Sequence, residues 1–276
     1  MTRETAQFFF NKDGKRLFSI LHEPDASARP PLGVVFCAPL FEEKLWSHRV
    51  LVNAARTFAK RGMTVLRFDY FGDGESEGKF EEASVHSRCA DILDAVDFCR
   101  SQTAVTKIYL LGLCYGATLA LRTALTDSSV AGAVAWAPVL EGDRYANELL
   151  RAHLSTQIVL HRKVIHDREA LVGQIMAGQT VNTEGYEIGR ALYSEICNIE
   201  LLPLLRSATN PIMVMQIAPG ERIEPQYAAL ANLTNPPLRF ERVRELRFWT
   251  QQKRVFPPCE ELFARTAQWL EQVAAI

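Results

Sequence analysis

The stretch Gly112-Leu113-Cys114-Tyr115-Gly116-Ala117 directly follows the apolar run Lys107-Ile108-Tyr109-Leu110-Leu111 and opens a segment with helical spacing. This pattern predicts a sharp turn from a strand into a helix, with Cys114 at its apex. The apical residue of such a turn has a strained backbone, and side chains two positions away on either side would collide with the adjoining elements. Both of those positions are glycine, Gly112 and Gly116. The stretch therefore favours a turn that presents a nucleophile.

The thiol of Cys114 is the candidate nucleophile. The N-terminus of the following helix would favour a thiolate, and the backbone N–H of Tyr115 is placed to donate a hydrogen bond to an oxyanion. The alternative interpretation is a small buried side chain in an ordinary turn, because free cysteines are often buried.

Strands and helices alternate on both sides of this turn. Apolar runs predict strands at 33–38, 64–69, 107–111, 130–137, 211–215 and 238–243, and helical spacing predicts helices over 47–61, 84–100, 115–125, 226–233 and 260–273. An N-terminal β-hairpin over 7–23 precedes them, because Asn11-Lys12-Asp13-Gly14 is typical of a reversal between strands. The alternation indicates an α/β fold in which helices cover both faces of a parallel sheet.

The alternation stops between about 142 and 208. That segment contains no convincing strand and predicts helices over 144–159, 168–177 and 186–196. We therefore expect a core formed by 1–141 and 209–276, with 142–208 inserted between two strands as a helical cap.

The composition excludes several classes of protein. The 276 residues include 31 Lys and Arg against 32 Asp and Glu, a balance with no global electrostatic case for nucleic acid or an anionic membrane. No apolar run approaches the roughly 18 residues that span a bilayer, and the N-terminus lacks the apolar stretch of a secretory signal. Six scattered cysteines are typical of reduced thiols, so we expect a cytoplasmic protein without a transmembrane segment.

Cofactor motifs are missing from the sequence. It has no Cys-x-x-Cys pair, no P-loop, no Gly-x-Gly-x-x-Gly turn after the first strand, and no His and Asp cluster at metal-ligand spacing. We expect neither a cofactor nor a metal.

Several stretches carry a resemblance to a known family. Beyond the turn at Cys114, these are Phe68-Asp69-Tyr70-Phe71-Gly72-Asp73-Gly74-Glu75-Ser76-Glu77-Gly78 and Cys37-Ala38-Pro39-Leu40-Phe41. They resemble the loop after the fourth strand and the oxyanion loop of the α/β-hydrolase superfamily, especially of its lipase, esterase and serine-aminopeptidase-like members. Residues 38–44 and 135–142 resemble the hydrolases associated with exosortase A systems. The resemblance implies a mostly parallel, eight-stranded sheet with the active site at the strand ends beneath a helical cap.

The resemblance also implies roles for individual residues. The family's nucleophile, acid and base follow in that order along the chain. Glu221 falls where the family places its acid, Glu224 is the other candidate, and either carboxylate is alternatively a solvated loop residue. The oxyanion hole would consist of the N–H groups of Tyr115 and of Leu40 or Phe41.

The base is the main departure from the family. The family's histidine should lie between about 244 and 258, but all six histidines, at 22, 48, 86, 153, 161 and 166, precede that segment. His48 is our candidate, because it follows the oxyanion loop. The alternatives are His153, His161 or His166 in the cap, or a thiolate that needs no base for attack. Trp249 either fills the space of the missing imidazole or packs the last loop against the sheet.

We therefore expect an enzyme that acts on a small-molecule acyl ester or thioester through Cys114, Glu221 and His48. The exosortase resemblance would link it to exopolysaccharide or surface-protein processing. The alternative is a non-catalytic binding or scaffold protein with a hydrolase fold, since the late histidine is missing. The basic cluster His161-Arg162-Lys163 with His166 and Arg168 is either attractive to an anionic group or a solvated face. A homodimer through the hairpin edge or the cap is an open alternative.

Overall fold

A computed structural model describes residues 2–25, 32–183, 185–233, 237–250 and 256–275 of the chain. Within these residues the strands are β1 (Arg3–Phe10), β2 (Arg16–Glu23), β3 (Leu32–Cys37), β4 (Thr64–Phe68), β5 (Lys107–Leu113), β6 (Gly132–Trp136), β7 (Val181–Thr183), β8 (Tyr186–Ile188), β9 (Ile212–Ala218) and β10 (Leu238–Arg244). The helices are α1 (Phe41–Lys60), α2 (Val85–Gln102), α3 (Tyr115–Thr126), α4 (Gly142–His161), α5 (Arg168–Met176), α6 (Arg190–Cys197), α7 (Leu202–Arg206), α8 (Ala228–Ala231) and α9 (Glu260–Ala274).

Eight of the strands form one sheet in the order β1-β2-β4-β3-β5-β6-β9-β10. The N-terminal hairpin β1-β2 is antiparallel, and β2 continues antiparallel onto β4. Every other neighbouring pair is parallel, from β4-β3 through β9-β10. The predicted mostly parallel, eight-stranded sheet is thus confirmed.

The central strands are buried on both faces. All residues of β3, β6 and β9 are buried, which explains why these strands are continuous apolar runs without alternation. Helices α2 and α3 and most of the inserted segment pack on one face of the sheet, and α1 and α9 pack on the other. The indole Nε1 of Trp136 donates to Thr266 Oγ1 at 3.0 Å, which satisfies a polar group deep in the second of these layers.

The segment 142–208 lies between β6 and β9 and contains α4 to α7. It also contains the short antiparallel pair β7-β8, where no strand was predicted, and α6 begins at Arg190 instead of 186. Strands of three residues are too short to show alternation in a sequence. The division of the chain into a core and a separate cap remains a prediction.

Helix α1 begins six residues earlier than predicted. It starts at Phe41 instead of Ser47, and Glu42 and Glu43 lie in its first turn, where carboxylates interact favourably with the helix dipole. Apolar periodicity alone missed this turn because it is largely polar. The earlier start places Glu43 and Lys44 just beyond the carboxyl end of β3. Near the other end of the chain, the helix predicted over 226–233 is limited to Ala228–Ala231 after one 3₁₀ turn.

Among the described residues, no helix is long and apolar enough to span a bilayer.

His22 in β2 is predicted to make the fold sensitive to acid. The ring is fully buried, and its Nε2 accepts a hydrogen bond from Arg67 Nε at 3.0 Å. Burial, together with the charge of Arg67, lowers the pKa of His22 to about 4. The unfolded chain binds a proton at this residue below its ordinary pKa of about 6.5, so stability falls as the pH drops from about 6.5 to about 4.

We expect His22→Gln, which keeps an acceptor for Arg67 but does not titrate, to remove about 3 kcal/mol of that pH dependence. Urea denaturation at pH 7, 5.5 and 4 measures it. The exposed His86→Gln is the control and should leave the pH dependence unchanged. An identical acid response in the wild type and His22→Gln would contradict the argument.

Candidate active site

Cys114 lies at the junction of β5 and α3. Its backbone has φ +50° and ψ −120°, a conformation that side chains rarely adopt. A Cβ atom at Gly112 would lie 2.3 Å from the carbonyl oxygen of Gly116, and one at Gly116 would lie 2.2 Å from that of Cys37. Both glycines are therefore required by the close approach of backbone to backbone, as the motif predicted.

Strained backbone is found at three strand ends of the sheet. Besides Cys114, Phe41 beyond β3 has φ +52° and Ala137 after β6 has φ +48°. Each such residue costs about 1–3 kcal/mol, and strain of this kind concentrates at functional sites. Cys114 and Ala137 both line one pocket, whereas Phe41 begins the helix that brings Glu43 to it.

The pocket at Cys114 has a volume of about 170 Å³ and is strongly polar. Its charged lining residues are Glu43, Glu141, Arg144, Glu148, Glu224 and Arg247, and its remaining walls include Tyr145, Tyr227 and Trp249. Two hydrogen bonds fix the loop after β6 beneath it: Tyr227 donates to the Pro138 carbonyl at 3.0 Å, and Thr118 donates to that of Val139 at 2.8 Å.

The Glu43 carboxyl lies within hydrogen-bonding reach of the Cys114 thiol. Tyr145, from the first turns of α4, donates to Glu43 Oε2 at 3.2 Å. Burial raises the pKa of Glu43 to about 8, against the lowering effect of its hydrogen bonds with Tyr145 and Cys114. Glu43 therefore exchanges a proton near neutral pH, the range suited to a general base.

The pKa of Cys114 is raised well above its ordinary value of about 9. Burial is the main cause, and the negative charge of Glu43 adds to it, whereas Arg247 acts in the opposite direction. This differs from the expectation that the N-terminus of α3 would favour a free thiolate. The desolvation of a thiol that is only 4% exposed outweighs the helix dipole.

The predicted oxyanion donors lie close to the turn. Tyr115 is the first residue of α3, and its N–H has no acceptor within the helix. Leu40 and Phe41 are buried at the start of α1. Because Gly116 packs against the carbonyls of Cys37 and Ala38, the loop that carries Leu40 and Phe41 approaches the turn directly. The roles of the three amide groups remain predictions.

The two candidate acids differ in their surroundings. The Glu221 side chain is 83% exposed, is paired with Arg244 at 3.8 Å, and lines a neighbouring cavity of about 1020 Å³. Glu224 is only 23% exposed, is paired with Arg247, and lines both that cavity and the Cys114 pocket. The position of Glu224 suits an acid at this site better than that of Glu221.

The structure does not bring His48 to Cys114. It is exposed and lines a separate pocket of about 260 Å³ together with Lys44, Arg67 and Asp69. Within the described residues, no histidine lines the Cys114 pocket. The base role predicted for His48 therefore gains no support from its placement.

The cap histidines and Trp249 complete the sequence-based candidates. His153 is partly exposed, His166 is exposed, and the side chain of His161 lies outside the described part of the structure. Trp249 is buried, packs edge-on against Phe248 at 5.1 Å, and lines the pocket in the segment where the family histidine would lie.

A chain of charges holds the first turn of α1. Lys44 Nζ lies 2.7 Å from Asp69 and 3.2 Å from Asp73, and the buried Arg88 lies 3.8 Å from Asp73. Asp69 also accepts the N–H of Glu75 at 3.1 Å. These contacts give Asp69 and Asp73 a structural role, and they fix the helical turn that carries Glu43.

Sequence reasoning missed Glu43 and Tyr145. The signal for Glu43 was its position directly after the oxyanion loop, but it was hidden by the late start predicted for α1. Nothing in the local sequence marks Tyr145, because its contact with Glu43 joins α4 to α1 across the pocket. Among the described residues, no group of three or more His, Cys, Asp or Glu side chains is arranged to hold a metal ion.

The fold is that of the α/β hydrolases, and comparisons with known proteins agree with it. Residues 46–176 match the family model described as serine aminopeptidase, S33. The solved structure of the Pyrococcus furiosus esterase PF2001 aligns with a TM-score of 0.66 and 17% identity, over 98% of this chain and 91% of that one.

Two curated relatives match part of the chain. The thiohydrolase aneE of Aspergillus aculeatus is 32% identical over 133 residues, which cover 47% of this chain and 39% of that protein. The polyketide transferase grgF of a Penicillium species is 32% identical over 95 residues, which cover 33% of this chain and 32% of that protein. The matches therefore span well under half the length of either relative.

Gly116→Ala should disrupt the turn. The added methyl would lie 2.2 Å and 2.4 Å from the carbonyl oxygens of Cys37 and Ala38, so the backbone must shift. We expect a loss of about 3 kcal/mol in the free energy of unfolding. Gly173→Ala is the matched control, because that glycine lies in α5 with nothing within 4 Å of the added atom. It should stabilise the protein by about 0.5–1 kcal/mol. Equal effects of the two changes in chemical denaturation would contradict the assignment.

Proposed function

We propose that this protein is an acyl-transferring or hydrolysing enzyme in which Cys114 attacks an ester or thioester carbonyl and Glu43 accepts the thiol proton. The observation that carries the proposal is that Cys114, at the strained turn, and the Glu43 carboxyl line one pocket, where burial raises the pKa of Glu43. Glu43 takes the role that a histidine has in the family pattern.

The pairing of a thiol with this carboxylate is chemically matched. The thiol and the ionised carboxylate together carry one negative charge, and moving the proton from Cys114 to Glu43 leaves that charge at one. Transfer therefore adds no charge to a pocket that already disfavours it. The raised pKa of Glu43 makes it a stronger base than an ordinary carboxylate, which suits a thiol far better than the less acidic hydroxyl of a serine.

The reaction follows from these positions. The proton of the Cys114 thiol passes to Glu43 as the sulfur forms a bond to the carbonyl carbon. The carbonyl oxygen becomes an oxyanion that accepts hydrogen bonds from the N–H of Tyr115 and of Leu40 or Phe41. Collapse expels the leaving alcohol or thiol, which takes the proton from Glu43. Water or an acceptor nucleophile then attacks the acyl-cysteine, loses its proton to Glu43, and releases the acyl group as Cys114 regains a proton.

Thioesters are the favoured substrates. Transfer of an acyl group from a thioester to Cys114 exchanges one thioester for another, whereas transfer from an oxygen ester forms a more reactive bond. The names of the two curated relatives, a thiohydrolase and a polyketide transferase, are in keeping with this chemistry.

Three finer expectations belong to the proposal. The resemblance of residues 38–44 and 135–142 to exosortase-associated hydrolases is the basis for a role in exopolysaccharide or surface-protein processing. The reduced-cysteine composition is the basis for a cytoplasmic location. All of the proposed catalytic residues belong to one chain, so the mechanism does not require the homodimer that we named as an alternative.

A non-catalytic binding protein is the second candidate. It is favoured by the raised pKa of Cys114 and by the absence of any histidine after His166 in the sequence. In that case Cys114 would behave as an ordinary buried thiol, and Glu43 would have no influence on its reactivity.

The alkylation of Cys114 between pH 5 and 10 separates the two candidates. If Glu43 is the base, the rate with iodoacetamide should rise about tenfold per pH unit and level off near pH 8, where Glu43 is ionised. Mass spectrometry of the peptide that contains Cys114, with Cys114→Ala as the blank, follows this thiol alone. Glu43→Gln should abolish the inflection and lower kcat/KM for short acyl thioesters by about 10²–10⁴.

Glu148→Gln is the matched control, because it removes an exposed carboxylate from the wall of the same pocket. It should change kcat/KM less than tenfold and keep the inflection. Alkylation that rises without levelling off to pH 10, together with no thioester turnover, would favour the binding protein.

The raised pKa of Glu43 should also make the free energy of unfolding depend on pH. Its folded pKa of about 8 lies above its ordinary value of 4.5, so the folded state binds the proton more tightly. Stability from this group is complete below about pH 4.5 and is lost as the pH rises to about 8. We expect Glu43→Gln to be more stable than the wild type by about 4 kcal/mol at pH 8.5 relative to their difference at pH 5. Thermal or urea unfolding at both pH values measures this, and an unchanged difference would refute the raised pKa.

A further inference from the structure

The turn between α4 and α5 is held in a fixed conformation. Helix α4 ends with Arg162 in the left-handed region at φ +56°. Gln157 is buried at 6% exposure, and its Oε1 accepts the N–H groups of Ile165 at 2.7 Å and His166 at 2.9 Å. Its Nε2 donates to the His166 carbonyl at 3.1 Å. One buried side chain thus satisfies three backbone groups of the turn.

Four aliphatic side chains project from this region into solvent. Ile158, Val159, Val164 and Ile165 are 52%, 79%, 45% and 48% exposed, and we call these four residues the apolar tip. Because Gln157 ties the backbone at Ile165 and His166, Val164 and Ile165 are not free to fold back onto the cap. Exposed aliphatic residues that are grouped and held in this way mark an interaction surface.

Two positively charged residues lie between the two pairs of residues that form the apolar tip. Arg162 and Lys163 are exposed, and within the described residues neither has an ion-pair partner. The nearby Asp167 is used as the N-cap of α5, where it accepts the N–H of Ala170 at 2.9 Å. The apolar tip therefore lies beside two cations that have no ion-pair partner among the described residues.

We propose that the apolar tip docks on an anionic membrane surface. Aliphatic groups flanked by Arg and Lys match the boundary between lipid acyl chains and anionic headgroups. A second copy of this chain fits less well, because a two-fold contact would bring the same cations of the two copies together. The residues from Arg162 to Glu169 are all exposed, so the whole turn is accessible to a membrane surface.

The overall charge of −1 does not oppose this docking. Charges on a protein surface are screened beyond about 8–10 Å at physiological ionic strength, so the local cations act on the membrane while distant carboxylates do not. The contact is peripheral, since it needs neither a spanning helix nor a lipid anchor.

Vesicle co-sedimentation of the full chain tests the proposal. We expect binding to phosphatidylcholine vesicles that contain 30% phosphatidylglycerol, weaker binding to pure phosphatidylcholine, and a decline as salt is raised. Arg162→Gln with Lys163→Gln should weaken the partition coefficient about 30-fold, or about fivefold for each cation. Val164→Ser with Ile165→Ser should weaken it at least about tenfold.

Leu45→Ser is the matched control, because Leu45 is a 63% exposed aliphatic residue of α1 outside the tip. It should bind vesicles as the wild type does. Unaltered circular dichroism and melting temperature establish that the tip variants are folded, as expected for changes at exposed positions. No binding of the wild type to either vesicle, or equal binding by wild type and tip variants, would overturn the proposal. So would a dimer in solution that the Val164 and Ile165 changes dissociate, since that outcome assigns the tip to a second copy.

Discussion

The site depends on contact between backbones at positions without side chains. Gly116 packs against the carbonyls of Cys37 and Ala38, and Gly112 packs against the first turn of α3. This approach joins the ends of β3 and β5 more closely than any Cβ would permit. It forces Cys114 into a positive φ, and it sets the start of α1, and with it Glu43, beside the thiol. The strain at Cys114 is sustained because the two buried strands on either side of it are fully paired.

The same contact creates an electrostatic problem that the Cys114–Glu43 pair resolves. A buried thiol and a carboxylate largely removed from water are both costly to ionise, so each has a raised pKa. Two separate charges would be unfavourable, but a single negative charge that the pair shares is not. An imidazole would instead form a thiolate–imidazolium pair, but no histidine lines this pocket among the residues that the structure describes.

Local patterns predicted the sheet and the turn, because both depend on short-range rules. Continuous apolar runs mark strands buried on both faces, and Gly112 and Gly116 flank the turn at a fixed spacing that is visible in the sequence. The partner of Cys114 was not predictable in this way. Glu43 is distant in sequence, it lies in a polar helical turn that apolar periodicity overlooked, and its pKa depends on burial by several elements. The family pattern directed attention to Glu221 and His48, but a pattern carries no information on how a chain compensates for a missing member.

Helix α4 connects the Cys114 pocket to the apolar tip. Tyr145 near its first turn donates to Glu43, and the apolar tip begins at Ile158, about 20 Å further along the helix for 13 residues at 1.5 Å each. The hydrogen bond from Tyr145 lowers the pKa of Glu43, so losing it would raise that pKa further and leave less of the base ionised at neutral pH. The same helix therefore supplies a hydrogen-bond donor to the site near its first turn and carries the exposed tip at its last.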